Sequence, residues 1–217
     1  MKKLWKILPA IVLVSVLILA GCGGDGPPGG DPKGALGPTV DKTYNNVVNR
    51  GDLSPYSGTI VFTYVANQMG NSVALSGISN SEVKVNNTSL TLKLGTPSSL
   101  STLSAILPPG VNASDSTAKA FVILGFMDGN TGSVKTLEWG KENAMVFLIY
   151  VDKDVTLTGS MTENDKGEVY TTNYNMVLKA GWNTAIQTPT APKTAKQEDG
   201  TPDATFMWGV GTDNLTP

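Results

Sequence analysis

The chain has 217 residues, 16 basic and 18 acidic side chains, a net charge of −2, no histidine and one cysteine. Metal sites built on imidazole or clustered thiolates are thereby excluded, as are histidine-based catalytic triads. Arg50 is the only arginine and no polybasic run occurs, which argues against nucleic acid as a partner and against charge-driven docking on anionic lipid.

The chain opens with Lys2, Lys3 and Lys6 ahead of 14 mostly apolar residues, Ile7 to Ala20, that include Pro9. That run suits the h-region of a signal peptide and falls short of the ~20 residues needed to span a bilayer. It ends in Leu19-Ala20-Gly21-Cys22, and Cys22 is the single cysteine. These four residues resemble the lipobox of bacterial lipoproteins. The resemblance implies cleavage between Gly21 and Cys22 by a dedicated signal peptidase and a diacylglyceryl group on the Cys22 sulfur, with a third acyl chain on the new amino group. Its partner is then a membrane, held through covalent lipid at about 0.8 kcal/mol per buried methylene. Gly23 stands where an aspartate would resemble an inner-membrane retention signal, so the expected location is the cell envelope, at the outer membrane where one exists.

Removal of residues 1–21 takes away three lysines, so 13 basic residues face 18 acidic ones, a net charge of −5. With Cys22 acylated, no thiol remains for a disulfide or redox centre. Gly23 to Pro38 holds seven glycines and four prolines, too little apolar surface to form a core. Residues 22–38 therefore read as the lipidated cysteine and a disordered tether, about 20 Å long as a coil and about 50 Å at full stretch.

From Thr39 to the C terminus, residues 39–217, the pattern is all-β: Val, Ile, Thr and Tyr recur, and Asn, Gly, Ser and Asp punctuate. Gly58–Ala66 alternates as one strand, with Ile60, Phe62 and Tyr64 on a face. Glu82–Asn86 and Thr88–Leu94 read as a hairpin about Asn86-Asn87, with Leu90, Leu92 and Leu94 inward. Ser98–Ile106 is the one expected helix. Ala118–Met127 and Ala144–Val151 are continuous apolar runs, the signature of strands covered on both faces. Ser133–Trp139, Asp154–Met161, Glu168–Lys179, Asn183–Gln187 and Ala204–Trp208 complete the set, with a polar loop expected near 188–203. The expected fold is a single β-sandwich or barrel-like domain of about nine or ten strands, preceded by an N-terminal signal helix and the tether.

Several motifs carry chemistry only in the right setting. Gly24-Asp25-Gly26-Pro27-Pro28-Gly29 matches a dinucleotide fingerprint, but two prolines inside a tether supply neither the strand nor the helix that it needs. Ser81-x-x-Lys84 and Ser116-x-x-Lys119 have the spacing of serine–lysine enzymes, which requires a helix, whereas both read as strand. Asp128-x-Asn130-x-Gly132 resembles the start of a calcium loop, yet its twelfth position is Trp139, and turn chemistry explains it. Asp152 and Asp154 form a close carboxylate pair, and Asp165 and Glu168 read as hairpin solvation. Leu178-Lys179-Ala180-Gly181-Trp182-Asn183 reads as a strand end with a turn or bulge at Gly181. It is similar to motifs of uncharacterised all-β envelope lipoproteins, a likeness that implies no activity. Trp139, Trp182 and Trp208 either plug sheet ends or form a platform for sugars or apolar ligands.

These readings predict a non-enzymatic interaction or structural module with no cofactor, no metal site and no catalytic residues. Its partner is expected to be an envelope protein or polymer. The alternative is a carrier or receptor for a small apolar or glycan ligand, which requires an enclosed, apolar-lined cavity of at least ~300 Å³.

Overall fold

The structure, a computed structural model, describes residues 33–67, 72–128, 134–141, 143–165 and 167–212. Gly21, Cys22 and the expected signal segment lie outside the described residues, as does most of the expected tether. The fold is all-β and sandwich-like, with eighteen strands among the described residues instead of nine or ten.

Five strands account for much of the difference, because two or three residues carry no readable periodicity: β1 (Ala35–Gly37), β3 (Val48–Asn49), β6 (Ser72–Ala74), β9 (Ser101–Thr102) and β10 (Val111–Ala113). The expected strand Gly58–Ala66 breaks at Thr63 into β4 (Thr59–Phe62) and β5 (Tyr64–Asn67), which join different sheets. The stretch 188–203, expected as a polar loop, instead continues β16 (Gly181–Ala191) into β17 (Thr194–Asp199), paired antiparallel. Residues 33–37, expected within the tether, are instead held on the domain, since β1 pairs with β16, Lys33 N–H donates to Asp199, and Gly34 O accepts the Thr184 amide.

A small sheet has the order β2 (Val40–Tyr44), β8 (Ser89–Leu94), β7 (Glu82–Asn86), β4. β7 and β8 form the hairpin expected about Asn86-Asn87, where Asn87 takes the left-handed conformation that asparagine tolerates. The large sheet also contains β11 (Lys119–Asp128), β12 (Lys135–Lys141), β13 (Ala144–Val151), β14 (Val155–Asp165), β15 (Glu168–Leu178) and β18 (Met207–Thr212). Its order is β10-β14-β15-β17-β16-β13-β11-β12-β18-β3, with β1, β5, β6 and β9 attached at the side. The terminal strands β10 and β3 do not pair, so the sheet is not a closed barrel.

Two cores lie on opposite faces of the large sheet. One faces the small sheet: Leu90, Leu92, Leu94, Val83, Val85 and Phe62 pack against Ile123, Phe126, Leu148, Trp182 and Trp208. The other gathers Ala118, Ala120, Ile149, Val151, Val155, Leu157, Met176 and Leu178. The continuous apolar runs of β11 and β13 follow from this, because alternate residues serve alternate cores. A register shift between Ile123 and Gly125 puts Ile123 and Phe126 into the same core and leaves Leu124 on the other face. That face carries the site.

Candidate functional site

The second core is only partly covered. After β9 the chain forms a single helical turn, α1 (Leu103–Ile106), whose first residue is buried and donates its N–H to Ala118 O. Pro108 and Pro109 follow and cannot continue a helix. A four-residue helix cannot roof a face that extends from β11 across β13, β16 and β17 to β15 and β14. What remains is an apolar cleft of about 160 Å³ between α1 and the sheet. Ile106, Leu107 and Pro108 form one wall. Val122, Leu124, Phe147 and Ile149 form the floor, and Leu157 and Met176 the facing wall.

Three polar side chains complete the lining, Tyr174, Gln187 and Gln197, and none of the lining residues is charged. They sit side by side on adjacent strands, with Gln187 directly opposite Gln197 in the antiparallel β16–β17 register and Gln197 beside Tyr174 in the parallel β15–β17 register. Burial, with a smaller contribution from the Glu163 carboxylate, pushes the Tyr174 phenol up to about 12, so it remains a neutral O–H. The cleft is smaller than the ~300–1,000 Å³ of pockets that enclose a whole drug-sized ligand. It is close to the ~150 Å³ of an apolar cavity known to hold a benzene ring.

The three tryptophans do not form an exposed platform. Trp139 and Trp208 stack on each other at 4.8 Å within the core between the sheets, with Tyr44 edge-on to both. Trp182 is fully buried, donates its indole N–H to Gly95 O at 2.8 Å and meets Tyr150 edge-on. The Leu178–Asn183 motif is thus structural. Gly181 has φ +103°, and a Cβ there would come within 2.4 Å of Gly37 O, so the motif clamps β1 against β16.

The remaining sequence candidates stay apart. Ser81 precedes β7 and donates its hydroxyl to Leu75 O, and Lys84 lies within β7. Ser116 sits in a turn and Lys119 opens β11, so neither serine–lysine pair is helical. Asp128 is buried at the end of β11, while Asn130 and Gly132 lie outside the described residues. Asp152 accepts the Lys119 N–H, and Asp154 accepts Lys179 Nζ at 2.8 Å and the Ala180 N–H. Those bonds, the lysine first, hold the Asp154 carboxyl below its ordinary range. Asp165 and Glu168 face each other across the β14–β15 turn, where Glu168 accepts from Tyr170 and pairs with Lys193.

Sequence reading missed the cleft. Gln187 lay at the end of an expected strand and Gln197 in an expected loop, and only the β16–β17 register puts them together. Compared with protein-family models, curated proteins and solved structures, the chain matches none.

Proposed function

We propose that this protein is a bacterial envelope lipoprotein, anchored through lipid on Cys22, whose β domain is a non-enzymatic module that docks an envelope partner by taking one of its apolar groups into the cleft beside α1. The observation that carries the reading is the cleft itself: apolar, uncharged and sized for a single group, not for a whole ligand. This size favours docking over carriage. The lining offers the bound group no carboxylate, amine or imidazole, and its one acidic hydrogen is the Tyr174 phenol, pushed up to about 12.

Both halves of the reading have a test. Cys22→Ser is expected to abolish metabolic fatty-acid labelling and the accompanying size shift; a variant that still labels and matures removes the anchor. For the cleft, a photo-reactive residue in place of Leu107 is expected to give discrete crosslinks in whole cells. The same residue in place of Lys93, on the small sheet, is expected to give none. Equal yields at the two positions would move the contact away from the cleft.

A further inference from the structure

Gln197 exposes only 9% of its surface, and its side chain forms no hydrogen bond with another described residue. The Gln187 and Tyr174 side chains beside it are half-buried and likewise form no hydrogen bond with another described residue. The Gln197 amide has no partner in the protein yet stays open to the cleft, so its donor and its acceptor are available to a group that enters there. The flanking Lys196 and Glu198 alternate to the opposite face and pair with each other at 2.6 Å. The row presented to the cleft is therefore neutral across three adjacent strands.

Each carboxamide offers both an N–H donor and a C=O acceptor. The group that answers both at once is another amide. A carboxylate would enter an uncharged cleft close to Glu163 and lose its hydration without a cation in return. A glycan would need a wide aromatic face, whereas the floor holds Phe147 as its one aromatic residue beside aliphatic side chains. A long acyl chain needs no amide row and more length than about 160 Å³ provides.

Resting on the docking reading above, we propose that the occupant is a peptide segment of the partner, which inserts one uncharged aromatic or branched aliphatic side chain between α1 and the sheet and pairs its backbone amide with Gln197 and Gln187. The side chain supplies the affinity and the amide row sets the depth and direction of the segment. Tyr174, as a neutral hydroxyl, serves the next backbone group along the peptide.

The test uses the full chain in lipid nanodiscs, with empty discs as control, and ligand-observed NMR titrations with four probes. N-acetylphenylalaninamide and N-acetylleucinamide carry the proposed group. N-acetylalaninamide lacks the apolar side chain, and ionised N-acetylphenylalanine replaces the terminal amide by a carboxylate. The first two are expected to bind, and each of the others roughly tenfold or more weakly. Gln197→Leu is expected to weaken the phenylalanine amide about tenfold, and Leu124→Trp, which fills the cleft, to abolish its binding. If the amide and the carboxylate bind alike and Gln197→Leu changes nothing, while Leu124→Trp still abolishes binding, the cleft takes apolar groups but the peptide inference is overturned. If no probe binds, or binding survives Leu124→Trp, the inference falls together with the docking reading. Should Gln197→Leu not fold, the comparison of probes on the native chain decides alone.

Discussion

Asn183 is the residue on which one corner of the large sheet turns. It accepts the Lys179 N–H at 3.0 Å, and its amide nitrogen lies 2.7 Å from Lys179 O and 3.0 Å from Gly181 O. One fully buried side chain thus satisfies three backbone groups of the β15–β16 turn, and Asp154 takes the Ala180 N–H. Asn183→Ala leaves these groups unpaired away from water, and the expected loss is about 2–4 kcal/mol, read from urea unfolding. The sequence reads as a turn at Gly181 with an Asn183 able to bond backbone, and the structure adds how many bonds that side chain makes and how deeply they are buried. Its value depends on burial, which local pattern does not report. The same holds for Gly159: its φ of +120° and the closeness of Gly110 O to any Cβ belong to a crossing of β10 and β14 that is remote in sequence.

Strands whose residues alternate or run apolar over five or more positions were legible: β7, β8, β11 and β13 fall within a residue or two of expectation. Short strands were not, because they owe their conformation to a neighbour and not to their own side chains. β3 shows this. Arg50, just after it, pairs its guanidinium with Glu138 on β12 at 2.7 Å across β18, where Gly211 leaves the room: a Cβ there would come within 2.6 Å of Arg50 Nε. Both side chains are mostly buried. Arg50→Met alone is expected to cost about 2–3 kcal/mol by leaving Glu138 without its guanidinium, and the double variant with Glu138→Leu to recover at least half. Urea unfolding of the two singles and the double decides it, and strictly additive losses would refute the coupling. The candidate site was illegible for a related reason. Its polar row joins three strands, one of them read as a loop, and the parallel β15–β17 pairing could not be inferred from either strand.

For the molecule as a whole, the pH dependence of stability has a defined sign at each end. The Tyr174 phenol titrates near 12 in the folded state against an ordinary value of 10, so its contribution is present below pH 10 and is lost as pH rises through 12. Thermal unfolding is expected to show a decline over that window of up to roughly 2 kcal/mol, reduced in Tyr174→Phe. At the acid end, Asp115, Asp154, Asp203 and Glu168 are held below their ordinary range, chiefly by side-chain hydrogen bonds from Lys153, Lys179, Thr205 and Tyr170 in turn. Their support is present above the unfolded carboxylate range and is lost as pH falls through the folded values. All four are solvent-facing, so the acid decline is expected to be shallow and to shrink further with added salt.

The pairing of β1 with β16 and of β3 with β18 sets an order in time. A chain that emerges N-terminus first releases Ala35 and Val48 long before Asn183 and Gly209, the residues against which they must settle. β1 and β3 have no resting place until β16 and β18 arrive, and loop closure over such separations is slow. The two ends of the domain therefore lock together as one late event, and a chain halted short of β18 would hold Trp139 without the ring that stacks on it. Synthesis of this chain leaves β1 and β3 without their partners until its last strands follow, while the small sheet of residues 40–94 has all its strands early.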